Sequence, residues 1–261
     1  DWYCNAQMIS FGNPCFCEHC MREFDTYLGL PFEFDYRDYL RRRGFSSTEQ
    51  LLADAEEGKV PLWNDYRRFA EQTVTRYFRR LRGAMDRYLG RPAELSVNGS
   101  VLDWGGHIDT IRPFLTYLNG ETTDFTPSAL KRMAEASRDQ DLRQIVSFHP
   151  GSCEDYDDPD FVGRVRQGIA LCYCLGLLPL FPYDVYAGDN PRWYGTWEQY
   201  RDPYLVVREH PEWFDDYEGA EMQMFGDTVE IIARPKRKEG QPLRHKITGK
   251  GEWSTQISEP Q

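Results

Sequence analysis

Cys15, Cys17 and Cys20 fall inside the segment NPCFCEHCMREF, residues 13–24. Three thiols this close cannot be explained by a disulfide, because one is left over and near neighbours make strained pairs. The chemistry that wants such a cluster is metal ligation, since thiolates are the soft ligands that one tight loop can aim at one ion. The alternative is three reduced thiols, with Cys20 facing a helix core. The other cysteines of the seven, Cys4, Cys153, Cys172 and Cys174, show no regular spacing. Cys172 and Cys174 read as small buried hydrophobes near a helix end. The odd count favours a reducing, cytoplasmic setting over a disulfide framework, and no targeting signal can be read.

A second group of reactive side chains sits at the ends of apolar runs: Asn98-Gly99, Gly120-Glu121, His149-Pro150-Gly151 and Tyr183-Asp184. The elements that would position them follow from periodicity. DWYCNAQ reads as a short buried strand. WNDYRRFAEQTVTRYFRRLRGAMDRYL, residues 63–89, repeats apolar residues at three and four and predicts one long amphipathic helix, with Tyr66, Phe69, Val74, Tyr77, Phe78 and Tyr88 on its apolar stripe. AELSVNGS and TIRPFLTYLNGE read as strands, TPSALKRMAEASRD as a helix, and LRQIVSFHPG as a strand. DPDFVGRVRQGIALCYCLG reads as a helix capped by Gly176, and LLPLFPYDVY as a further strand. GTWEQYRDPYLVVREHPEWFDDY predicts two helical parts broken before Pro211, and residues 31–60 short helices and loop.

Strand-then-helix units in series predict an α/β fold with a parallel sheet and helices outside it. In such folds, ligand groups gather at the carboxyl ends of the strands. A complete (β/α)8 TIM barrel takes about 250 residues. Here residues 1–226 hold five units, so the expectation is an incomplete barrel portion, and 227–261 a C-terminal β hairpin or a loose tail. The rest of the barrel would come from residues upstream of Asp1, from a partner chain or from a second copy.

The net charge of −11 argues against nucleic acid, which asks for a basic face. No run of 18 apolar residues exists, which speaks against a membrane helix.

CFCEHCMREFDTYL followed by WNDYRRFAEQTVTRYFRRLR resembles the middle of a TIM-barrel glycoside hydrolase, nearest to the family 42 β-galactosidases and related glycosyl hydrolase-like barrels. LSVNGS is similar to their strand 5, and GIALCYCLGLLPLFPYDVY with the helix after it to the strand 8 region. The resemblance covers residues 1 to about 221 and implies strands 4–8 of the barrel, a carbohydrate ligand and a structural zinc bound by the cysteine loop. It implies no organic cofactor. The chain departs from the pattern at the acid/base position of strand 4, where Asn5 and Gln7 stand, and at the nucleophile position of strand 7, which ends in His149.

Glycoside cleavage needs two carboxyl groups, about 5 Å apart for retention and about 6.5–9.5 Å for inversion. On this reading Glu121 and Asp184 are the candidate pair, and His149 a sugar contact or acid/base. Each has a structural alternative: a loop or capping carboxylate, a loop hydrogen bond, a satisfied buried histidine. Asn98, Asp103 and Glu154 are candidate hydroxyl partners. Trp104, Tyr183, Tyr186, Trp193 and Trp197 offer flat faces for sugar rings. For zinc, Cys15, Cys17 and Cys20 supply three tetrahedral ligands, and Cys4, His19 or an upstream cysteine the fourth. The function expected is hydrolysis of a glycosidic bond, or carbohydrate binding by a barrel that has lost the catalytic pair. A zinc hydrolase ranks last, for want of an H-E-x-x-H spacing.

Overall fold

The computed structural model describes residues 15–30, 33–102, 110–148, 158–180, 196–237 and 240–257, with nothing described of the Thr48 side chain. The chain divides into two compact units, residues 1–97 with 104–115, and residues 98–103 with 116–261. The first expected strand, DWYCNAQ, lies outside the described residues.

The first unit is helical. Helix α1 (Glu18–Leu28) starts on Cys17, whose side chain accepts from the Cys20 N–H, and stops at Gly29, which takes the left-handed conformation. The expected short helices of 31–60 are α2 (Tyr36–Arg42) and α3 (Thr48–Glu56). Each has a side-chain cap, Asp35 accepting from the Asp38 N–H at 3.0 Å and Ser47 from the Gln50 N–H at 3.2 Å. Helix α4 spans Trp63–Leu89, as the periodicity predicts, and ends on left-handed Gly90. Met21, Phe24, Tyr36, Leu40, Leu51, Val60, Tyr66 and Phe69 form one buried cluster. At about 100° per residue, the step from Phe69 to Val74 rotates the buried stripe of α4 by about 140°. Val74 and Phe78 are buried on the new face, and the Phe78 ring stacks 6.3 Å from Phe114. The stripe predicted from sequence is therefore corrected at two positions. Tyr77 is 48% exposed and Tyr88 90% exposed, because the helix changes the face it buries.

The second unit is α/β. Its first sheet has the strand order β1 (Ser96–Asn98), β2 (Tyr117–Thr122), β3 (Arg143–Phe148), β4 (Leu178–Pro179), with β1 entering the unit at Asn98. The β2–β3 and β3–β4 pairs are parallel. The strand expected over TIRPFLTYLNGE is shorter: Arg112–Phe114 form a 3-10 turn around Pro113, which has no N–H for a ladder. Helix α5 (Pro127–Asp139) begins with Pro127 in its first turn and Thr126 as cap. Helix α6 (Pro159–Leu175) ends on left-handed Gly176, as expected. Helices α7 (Trp197–Glu209) and α8 (Glu212–Asp215) are broken before Pro211, and α7 opens on a capping box between Thr196 and Gln199.

Beyond α8 the chain forms a four-stranded antiparallel sheet in sequential order: β5 (Tyr217–Phe225), β6 (Thr228–Pro235), β7 (Leu243–Ile247) and β8 (Trp253–Ile257). The C-terminal region is thus a full meander rather than a loose tail, and its first strand starts ahead of residue 227. Helix α6 is buried on most sides. Gly168 lies against the Phe148 ring of β3, while Gly163 meets the Gly249 carbonyl and Gly219 of β5 the Cys174 carbonyl. A Cβ at Gly219 would stand 2.4 Å from that carbonyl oxygen, so this close approach requires glycine. Cys172 and Cys174 are buried within α6, as their apolar context predicts.

Candidate functional site

In β2 and β3 the buried positions alternate. Leu118 and Gly120 share a buried face with their register partners Gln144 and Val146, and Phe148 continues it toward α6. Tyr117, Asn119 and Glu121 therefore point to the opposite face, with Arg143, Ile145 and Ser147 beside them. Glu121 is exposed at the carboxyl end of β2, with Ser147 as its register neighbour. This places the Glu121 side chain at the strand tips, on the side away from α6.

Close backbone approach sets this position. A Cβ on Gly120 would lie 2.6 Å from the Gly99 carbonyl oxygen, so glycine allows the β2 tip to meet the turn after β1. The Gly99 N–H donates to the Asn119 carbonyl at 2.9 Å. Behind the sheet, fully buried Gln144 accepts from the Val101 N–H at 2.8 Å and donates to the Ile145 carbonyl at 2.7 Å. Gln140 donates to the Val101 carbonyl at 3.3 Å. These amides pin the turn and hold Asn98 exposed at its start. Satisfying a buried amide in this way makes the turn costly to displace.

The structure thus places Glu121 and Asn98 at adjacent strand tips. Asp184, His149, Asp103, Trp104, Glu154, Tyr183, Tyr186, Trp193 and Cys4 lie outside the described residues. Trp197 is the first residue of α7, half exposed and 6.4 Å from the Tyr204 ring. Sequence reasoning missed Asn119, whose buried Oδ1 has no hydrogen-bond partner among the described residues. The signal was its place two residues before Glu121, which puts both on one face of a strand.

The cysteine loop sits in the first unit. The Sγ atoms of Cys15, Cys17 and Cys20 all lie within 4.8 Å of one another. Tetrahedral zinc with thiolate bonds of about 2.3 Å would hold sulfurs about 3.8 Å apart, so the trio could close on one ion with small shifts. The Cys20 N–H donates to Cys17 Sγ at 3.5 Å. That backbone hydrogen bond, aided by those from Cys15, Cys20 and His19, holds the Cys17 thiol below its usual pKa. Burial, with the neighbouring Cys15 and Cys17, pushes the Cys20 thiol up.

The loop is anchored to the helical core. The Tyr66 hydroxyl donates to the Cys15 carbonyl, and Arg37 Nη1 to the Phe16 carbonyl at 3.2 Å. Phe16 stacks on Tyr66 at 5.6 Å and tilts against Tyr36 at 6.2 Å. His19 is exposed on α1, one residue from Cys20.

No family model matches the chain, and no solved structure matches it. Among curated proteins, the chain is similar to an alpha-agarase of Thalassotalea agarivorans, at 25% identity over 236 residues. The match covers 82% of this chain and 16% of that protein. These comparisons show no link to the family 42 β-galactosidases.

Proposed function

We propose that this chain is part of a glycoside hydrolase-like protein that acts on a polysaccharide, with Glu121 as one of its catalytic carboxylates. The observation that carries the reading is the similarity to a protein named alpha-agarase across 82% of the chain. The parallel sheet supports it, as the order β1-β2-β3-β4, with α5 between β2 and β3 and α6 between β3 and β4, is compatible with strands 5–8 of a (β/α)8 barrel.

Glu121 would act from the strand tip, protonating the leaving oxygen or attacking the sugar carbon. The second carboxylate would be Asp184, and His149 would serve as a sugar contact or acid/base. Asn98 and Asn119 would hold sugar hydroxyls, their amides offering both donor and acceptor. Zinc held by Cys15, Cys17 and Cys20 would brace the loop after strand 4 and supply no open position for substrate. The fourth ligand would be Cys4, His19 or a cysteine upstream.

A second reading, a carbohydrate-binding barrel without hydrolysis, is favoured by Asn5 and Gln7 at the position where the resembled hydrolases carry their acid. One assay separates the two. The full chain is incubated with agar-type and other neutral polysaccharides, and released reducing ends are counted. Hydrolysis lost in Glu121→Gln supports the enzyme. Binding without release of ends by the parent protein supports the binding barrel and removes Glu121 from catalysis.

A further inference from the structure

Helix α4 carries arginine at 67, 68, 76, 79, 80, 82 and 87, against Asp65, Glu71 and Asp86, in a chain whose net charge is −11. Among the described residues, its ion pairs join Arg68 to Asp65 and Arg82 to Asp86, so those acids are already engaged. Arg79, Arg80 and Arg87 are exposed and have no acidic partner among the described residues. Arg76 is exposed too, with Nη2 3.2 Å from Thr73 Oγ1.

Eleven residues make three helical turns to within about 20°. Tyr77 and Tyr88 therefore continue the line that starts at buried Tyr66, and Arg80 continues the line of buried Phe69. The N-terminal half of α4 buries this stripe, and the C-terminal half presents it to solvent with Tyr88 90% exposed. Arg76 and Arg80 lie four apart, and Arg76 and Arg79 three apart, so like charges face each other on one side of the helix, a spacing that destabilises it. The helix dipole favours Arg87 near the C-terminus, but it does not reach back to Arg76, Arg79 and Arg80 in mid-helix.

We infer that the C-terminal half of α4 is a docking surface for an anionic polysaccharide, one bearing sulfate or carboxylate groups. Arg76, Arg79, Arg80 and Arg87 meet the charged substituents, with guanidinium forks suited to oxyanions. Tyr77 and Tyr88 pack against sugar C–H faces. From Arg76 to Arg87 the stripe runs about 16 Å at 1.5 Å per residue, long enough for several sugar units. The choice of a polysaccharide among polyanions rests on the glycoside reading above, whereas the anion-binding character rests on the arginines alone.

The test uses dextran sulfate and neutral dextran, which share a backbone and differ only in sulfate, with double-stranded DNA as a non-saccharide polyanion. Binding to the full chain is read by fluorescence anisotropy at low and high salt. The expected result is binding to dextran sulfate that weakens with salt. That binding falls by about tenfold or more in the combined variant Arg76→Gln, Arg79→Gln, Arg80→Gln and Arg87→Gln, with unchanged circular dichroism. If that variant does not fold, the pair Arg79→Gln and Arg80→Gln replaces it, with a smaller loss expected in the same direction.

Equal binding of the two dextrans, or undiminished binding by the variant, overturns the proposal. DNA bound as tightly as dextran sulfate overturns the polysaccharide assignment. Because Glu121→Gln leaves all four arginines in place, absence of hydrolysis would sink the enzyme reading without altering this outcome.

Discussion

Acidification should destabilise this chain through one histidine. His245 lies in the middle of β7 on the inner face of the antiparallel sheet and is 1% exposed. Its Nδ1 lies 2.9 Å from Thr255 Oγ1 and 3.4 Å from the Trp253 indole nitrogen, while Nε2 is buried with no partner among the described residues. The rings of Trp213, Phe214 and Trp253 surround it at 5.9–6.1 Å. Burial among these rings pushes its pKa down to about 4 from an ordinary 6.5.

The unfolded chain takes up this proton near pH 6.5, and the folded chain only near pH 4. Stability is therefore fully present above pH 6.5 and is lost as the pH falls toward 4. Each pKa unit is worth about 1.4 kcal/mol, so about 3 kcal/mol is at stake across this window. Denaturant unfolding of the full chain, followed between pH 7 and pH 4 in the parent and in His245→Phe, reads the effect. The variant should lose this part of the pH slope whatever its stability at pH 7. Parallel slopes in the two proteins, or an imidazole that titrates near 6.5 by NMR, would refute the argument.

Gly219→Ala should lower stability by about 1–3 kcal/mol, since its Cβ must displace the Cys174 carbonyl, as calorimetry of parent and variant would show. Tyr66→Phe should cost about 1 kcal/mol, by loss of the hydrogen bond to the Cys15 carbonyl, and loosen the cysteine loop; hydrogen exchange of α1 amides reports both. Purified chain should carry about one zinc per molecule by elemental analysis, and Cys20→Ser should abolish it. Chelator should also lower the unfolding midpoint of the parent and leave Cys20→Ser unmoved.

Helices α4, α5 and α6 were legible because their apolar positions repeat at three and four and their ends carry Pro127, Gly90 and Gly176. Local signals of this kind survive into the fold unchanged. Contacts made across the sequence were not legible. Nothing local in α4 tells that its buried face rotates after Phe69, so Tyr77 and Tyr88 were assigned to a stripe that solvent receives. Pro113 was a readable warning that the strand before Tyr117 could not be continuous. In LRHKI the buried positions of β7 alternate, but the segment around it is basic, polar and poor in core residues, so a hairpin and a loose tail both stayed open.

Glu121 and Asn98 were singled out from their place after apolar runs, and the structure puts them at neighbouring strand tips. Asn119 was passed over because the period of two that puts it on the face of Glu121 was not applied to that strand. The roles of Gln140 and Gln144 depend on a turn more than thirty residues away, and no spacing announces them.

The most direct test of the central claim is a crystal structure of Glu121→Gln soaked with an oligosaccharide released from the best-bound polysaccharide. The account predicts a sugar at the strand tips, with its hydroxyls within hydrogen-bond distance of residue 121 and of Asn98. A sugar bound elsewhere, with those tips covered or empty, would contradict it.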